Sequence, residues 1–84
     1  MKLFLISQTE NRGLDRFDSA VVAARDEEEA KEMHPNGNML KTSLDWEAET
    51  ESWCHSKKRV KVKYLGIAVK GTEWGVICAS FDAG

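Results

Sequence analysis

The chain is predicted to fold as an α+β domain: a mainly antiparallel sheet of four strands with one short helix packed on it, in the order β-β-α-β-β. Three observations carry this. A continuous small apolar run, Ala20 to Ala24, leads into a helix-start signal, and a second apolar run, Leu3 to Ile6, lies near the beginning of the chain. Two further strand-like stretches near the end, KKRVKVKYLGIAV and WGVICASF, are separated by the turn-forming Lys70-Gly71-Thr72-Glu73. One helix segregated from four strands is an α+β pattern.

Leu3, Phe4, Leu5 and Ile6 give the first strand, residues 2–7. Unbroken apolar runs suit strands inside a sheet rather than at its rim, so this strand and the one at 20–24 are both expected to be central. Between them residues 8–18, QTENRGLDRFD, read as a polar loop. Leu14 and Phe17 are its large apolar residues, open to two readings: pins that hold the loop to the body, the reading taken here, or an exposed contact patch. Structureless loops of this length are uncommon without a role, which marks it as a place for binding.

Asp26 is a good N-cap, and Glu29 three residues later matches capping-box spacing. Glu27, Glu28 and Glu29 place negative charge at the positive end of the helix dipole. Adjacent helix positions do not converge on one ion, so dipole compensation on a solvated face is preferred to a metal site. Ala30 and Met33 share a face, and Pro35-Asn36-Gly37-Asn38 ends the helix after two to three turns.

Residues 36–56 are polar, with Met39, Leu40, Leu44, Trp46 and Trp53 scattered among Asp45, Glu47, Glu49 and Glu51. They read as irregular or as a short extra helix. The tryptophans are read as anchors of a long segment in preference to ligand platforms. Residues 57–69 are the third strand, with Val60, Val62 and Tyr64 alternating with Arg59, Lys61 and Lys63. After Tyr64 the apolar parity reverses, and a bulge or bend at Gly66 would reconcile the halves. Residues 74–81 are the last strand, expected to pair with the third as an antiparallel hairpin. Residues 82–84 form a short polar tail.

At 84 residues the chain is one domain, 1–84, that buries only about 60% of its unfolded surface. Such a core leaves little room for an enclosed pocket, so no enzyme is expected. A net charge of −2 excludes a polycation built for nucleic acid. No apolar run approaches the length of a membrane span, and MKLFLIS is too short for the core of a signal peptide. The expected setting is cytoplasmic, with Cys54 and Cys78 as free thiols and Cys78 packed inert in its strand. His34, Cys54, His55 and Cys78 lack zinc spacing, no Gly-rich phosphate loop is present, and no metal or cofactor is expected.

Two surfaces remain as candidates. The first is protein-binding, built from the 8–18 loop and the middle segment: Asp15, Arg16, Phe17, Asp18, Trp46, Glu47, Glu49 and Trp53, with aromatic and Arg residues as the energetic centre. If the acids there share a face, they would steer docking onto a basic protein. The alternative is nucleic-acid or nucleotide binding along Lys57, Lys58, Arg59, Lys61, Lys63 and Tyr64, where basic residues beside an aromatic can track phosphates. The bland reading of that run is an edge strand guarded by charge or paired with the acids upstream. Target and oligomeric state are not legible.

Together, MKLFLISQTEN, DSAVVAARDEEEAKEMHP, VKVKYLGIA and GVICASFDAG resemble a family of small proteins of phages, prophages and bacterial genomes, mostly of unknown function. The resemblance covers both ends and the strand–helix unit, and residues 36–57 depart from it most. It implies, by analogy with small phage accessory proteins, a phage-encoded inhibitor of a host defence complex such as a CRISPR effector, acting in the host cytoplasm. It supplies no catalytic residues.

Overall fold

A computed structural model describes residues 1–82; the expected tail residues Ala83 and Gly84 lie outside them. Four strands, β1 (Lys2–Ser7), β2 (Arg16–Ala24), β3 (Lys61–Ile67) and β4 (Gly75–Asp82), form one antiparallel sheet in the order β3-β1-β2-β4. Two short helices, α1 (Glu27–Lys31) and α2 (Ser43–Ala48), and a 3-10 turn at Lys57–Arg59 complete the domain. The α+β class is as expected; the second helix is the short extra helix allowed for in the middle segment. No helix of the described residues is long and apolar enough to cross a membrane.

The two continuous apolar runs occupy the centre of the sheet. β1 and β2 pair from Lys2 opposite Ala24 to Ser7 opposite Ser19, and each is hydrogen-bonded on both sides. The expected hairpin of the last two strands is not formed. β3 pairs with β1 and β4 with β2, at opposite edges. The central pair offers two free edges, and each outer strand brings side chains suited to one of them. Val62 lies opposite Ile6 and Tyr64 opposite Phe4 on one side. Val76 lies opposite Val22 and Phe81 opposite Phe17 on the other. Tyr64 meets Phe4 edge-on at 5.7 Å between ring centroids, and Phe81 meets Phe17 at 4.6 Å. Crossing three strand spacings takes about 14 Å, within reach of the link 68–74. The Val69–Thr72 turn inside that link forms where a turn is expected, with Thr72 N–H and Oγ1 both donating to Val69 O, but it bends a crossover.

The parity switch in β3 has the expected cause. Leu3 faces Gly66 and Phe4 faces Tyr64, so Leu65 is the extra residue of a bulge. Gly66 holds φ +145, where a side chain is strained. The basic run is not all strand: Lys57–Arg59 coil into the 3-10 turn before β3 starts at Lys61.

Phe4, Ile6, Ala20, Val22 and Ala24 line the covered face of the sheet, and α1 lies against β1, β2 and β3 on it. The alanines let the covering layer come close. That layer is mostly not helix. Met33, Leu40, Trp53, Cys54 and Val60, all buried, come from the irregular chain beyond α1. α1 is shorter than expected, with five residues. The chain turns away after Glu32 so that Met33 can pair with Met39 in an isolated bridge, and Leu40 N–H donates back to Glu32 O. A helix this short is held by packing and its cap. Asp26 Oδ1 accepts from Glu29 N–H at 2.8 Å. Glu29 reaches past the cap to accept from Arg25 N–H at 3.0 Å and pairs the Arg25 guanidinium at 2.7 Å. Asp26→Ala should cost about 0.5–2 kcal/mol; an unchanged melting curve would contradict this role of the cap.

Candidate binding surfaces

The 8–18 loop is shorter than expected, because β2 begins at Arg16. Buried Gln8 accepts from Asn11 N–H at 2.7 Å and donates to Phe17 O at 2.9 Å. Asn11 donates to Thr50 O and, at 2.8 Å, to Trp53 O, tying the loop to the middle segment. Arg16 Nε donates to Asn11 Oδ1 at 2.8 Å. Arg16 is therefore a clamp within the loop. Phe17 is pinned: its N–H donates to Ser52 O at 2.9 Å, and its ring lies on His34 at 5.4 Å and on Phe81. Leu14 divides from it and stands 62% exposed at the tip. Asp15, at φ +59, and Asp18 are exposed beside it.

The middle segment is organised by two polar centres. The first is the N-cap of α2, where Asp45 N–H donates to Thr42 Oγ1 while the Asp45 carboxylate accepts from the N–H groups of Thr42 and Lys41, both at 2.9 Å. Those N–H groups hold the Asp45 carboxyl below its usual range. The second centre is His34, which is fully buried. Its Nδ1 accepts from Asn36 N–H at 2.9 Å, so the ring proton sits on Nε2. Nε2 faces Ser52 Oγ at 2.9 Å and Glu49 Oε2 at 3.2 Å.

A serine, a histidine and a glutamate thus meet, but not as a nucleophilic triad. A triad places the hydroxyl and the carboxylate on different ring nitrogens, leaving a lone pair for the hydroxyl proton. Here both face the protonated nitrogen, and the other nitrogen is already an acceptor. The cluster fastens 49–52 to the turn after α1. Glu49, a candidate contact residue, belongs to this buried centre, and Asn36 and Asn38 each approach its carboxylate at 3.4 Å. Trp53 is fully buried too. It is corrected from candidate contact to core anchor, the reading preferred for the tryptophans from the sequence.

Trp46 and Glu47 come together with part of the basic run. Along with Thr50 on one side and His55, Ser56, Lys57 and Lys58 on the other, they line an open groove of about 380 Å³. Half-buried Trp46 packs its other side on the core, and Leu44 stands 73% exposed on the same helix. The basic residues otherwise divide. Lys57 pairs with Glu28 at 2.8 Å, which raises the lysine pKa and lowers the glutamate's. Arg59 pairs with Glu10 at 3.2 Å. Lys58, Lys61 and Lys63 have no ion-pair partner among the described residues, and Tyr64, half exposed, leans on Phe4. The partners of the basic run are therefore Glu10, Glu28 and Glu32, not the acids at 45–51. Glu10, Glu28 and Glu32 thus stand among the bases and not on a separate acidic face.

No family model matches the chain, and neither a curated protein nor a solved structure was found similar to it.

Cys78, expected to be packed inert, is corrected to an exposed position on β4. Cys54 is buried, where desolvation pushes its thiol up to about 11. Both are free thiols, as expected. His34 and Asn11 are the organising residues that sequence reasoning missed as such. Their partners are 15 or more residues away along the chain, at 49–53. No local pattern announces such contacts.

Proposed function

We propose that this chain is a non-catalytic protein-binding module whose partner seats in the Trp46 groove. The observation that carries the reading is the groove's make-up: an aromatic wall at Trp46, one acidic lip at Glu47 and one basic lip at Lys57 and Lys58. An aromatic anchor between charges of both signs suits a polypeptide better than a polyanion. The hydrogen-bond pattern at His34 supports the non-catalytic part, because neither ring nitrogen has a lone pair to spare. On the strength of the sequence resemblance alone, the target proposed is a host protein complex of the defence type, such as a CRISPR effector.

A second reading rests on Lys58, Lys61 and Lys63, exposed cations without acidic partners among the described residues, on the chain leading to Tyr64, which would suit a nucleic-acid strand or a nucleotide. Affinity capture from host lysate separates the two. With nuclease present, the wild-type chain should retain a stoichiometric protein partner, and Trp46→Ala should lose it. Capture that vanishes with nuclease, or with Lys58, Lys61 and Lys63 all changed to Ala while Trp46→Ala retains it, would move the function to the basic edge.

A further inference from the structure

The two edges of the sheet are built differently. At the β3 edge Lys61 and Lys63 alternate along the strand, with Lys58 and Arg59 just before them. Lysines on a strand edge keep other strands from adding to it. Among the described residues the β4 edge carries no lysine, and its protection is limited to the bulge at Ile77. Residues 76–81 are Val, Ile, Cys, Ala, Ser and Phe, without charge or proline, and 77–81 are all exposed. Ile77 is 54% and Phe81 45% exposed. Beyond the bulge, an edge without charge offers its outward N–H and C=O groups to another strand.

We propose that β4 pairs with β4 of a second copy of this chain, joining two sheets into one of eight strands. A two-fold interface sets each surface against itself. The β3 edge would oppose lysine to lysine, whereas the uncharged β4 edge complements itself. The register follows from the same symmetry, because an antiparallel two-fold pair requires one residue to face its own copy. The ladder with β2 shifts at Ile77 and again between Ser80 and Phe81, so side-chain size within the exposed stretch 77–81 picks the centre. That centre is Ser80. Ser80 then faces Ser80 and bulky Phe81 faces small Ala79, with no charged residue and no Cys78 pair between them. Lys57 and Lys58 of the groove lie on the chain entering β3 at the opposite edge, so this contact is independent of the function proposed above.

Sedimentation equilibrium of the purified full chain tests the pairing. The expected mass is twice the 9.5 kDa of one chain. Ser80→Lys should halve it, with circular dichroism and melting temperature kept near those of the wild-type monomer fraction. Lys63→Ser, at the other edge, should leave the doubled mass. The register is read by disulfide trapping with oxidised glutathione. Ser80→Cys in a Cys78→Ser background should cross-link to a dimer, whereas wild-type Cys78 should not; buried Cys54 is shielded from the reagent. A wild-type chain that sediments at single-chain mass throughout, or a doubled mass that survives Ser80→Lys and falls with Lys63→Ser, overturns the proposal. Rapid trapping through wild-type Cys78 with none through position 80 overturns the register.

Discussion

Trp53→Ala is expected to lose about 3–5 kcal/mol of stability. The total for a chain of this size is roughly 4–13 kcal/mol, so this one change removes a large share of it. Trp53 has no exposed surface and is the largest fully buried side chain. It fills the space between the sheet and the irregular 32–60 segment, beside His34 at 6.0 Å. That segment has one short helix of its own and is held on mainly by such anchors. Alanine would leave a cavity, which the pinned loop could close only by giving up the Asn11 bonds to Thr50 and Trp53. Trp53→Phe should cost much less. The indole Nε1 has no hydrogen-bond partner among the described residues, so phenylalanine forfeits volume and no hydrogen bond. Urea midpoints of the two variants measure the difference. A loss under about 1 kcal/mol for the alanine variant would mean that Trp53 is not the anchor of this layer.

Acid should weaken the fold first through His34. Burial lowers its pKa below the ordinary 6.5, and nearby Glu49 only partly opposes this. Above pH 6.5 the imidazole is neutral whether the chain is folded or not, and stability is level. Between 6.5 and the lower folded value the unfolded chain takes up a proton that the folded chain refuses, so stability falls with pH across that window. Below the folded value the loss is complete. The groups facing the ring are Glu49, Ser52, the Asn36 amide, Phe17 and Trp53. Glu28, Glu29 and Asp45, held below their usual ranges, lose their contributions only at more acid pH. His34→Ala should flatten the slope below pH 6.5. It should also cost about 1–3 kcal/mol at neutral pH, because Ser52 and Glu49 are left without their donor. Urea titrations at several pH values check both. A slope retained in His34→Ala would assign the acid sensitivity elsewhere.

What was legible in the sequence was local. Continuous apolar runs marked the two central strands, because a strand with neighbours on both sides has little need of polar positions. The Asp26 cap and the Gly66 bulge were legible because each is written within four residues. Strand order was not. Turn residues at 70–73 look the same in a hairpin and in a crossover, and the choice rests on which central edge suits Val62 and Tyr64 against Val76 and Phe81. The extent of α1 was overread because Met33 has helical spacing yet turns into a bridge with Met39. Among candidate site residues, Trp46, Glu47, Lys57 and Lys58 do share a groove. Trp53 and Trp46 are equivalent in a polar sequence, and only the fold separates the buried one from the half-exposed one. Arg16 and Glu49 were read as free charges and are instead held by Asn11 and His34.

The central claim is that a protein partner seats in the groove between α2 and residues 55–58. Amide hydrogen exchange of the chain alone and in its captured complex tests it most directly. The expected result is added protection across 43–58, centred on Trp46, with β3 unchanged. Protection confined to β3, or spread over the 8–18 loop and absent from α2, would contradict it.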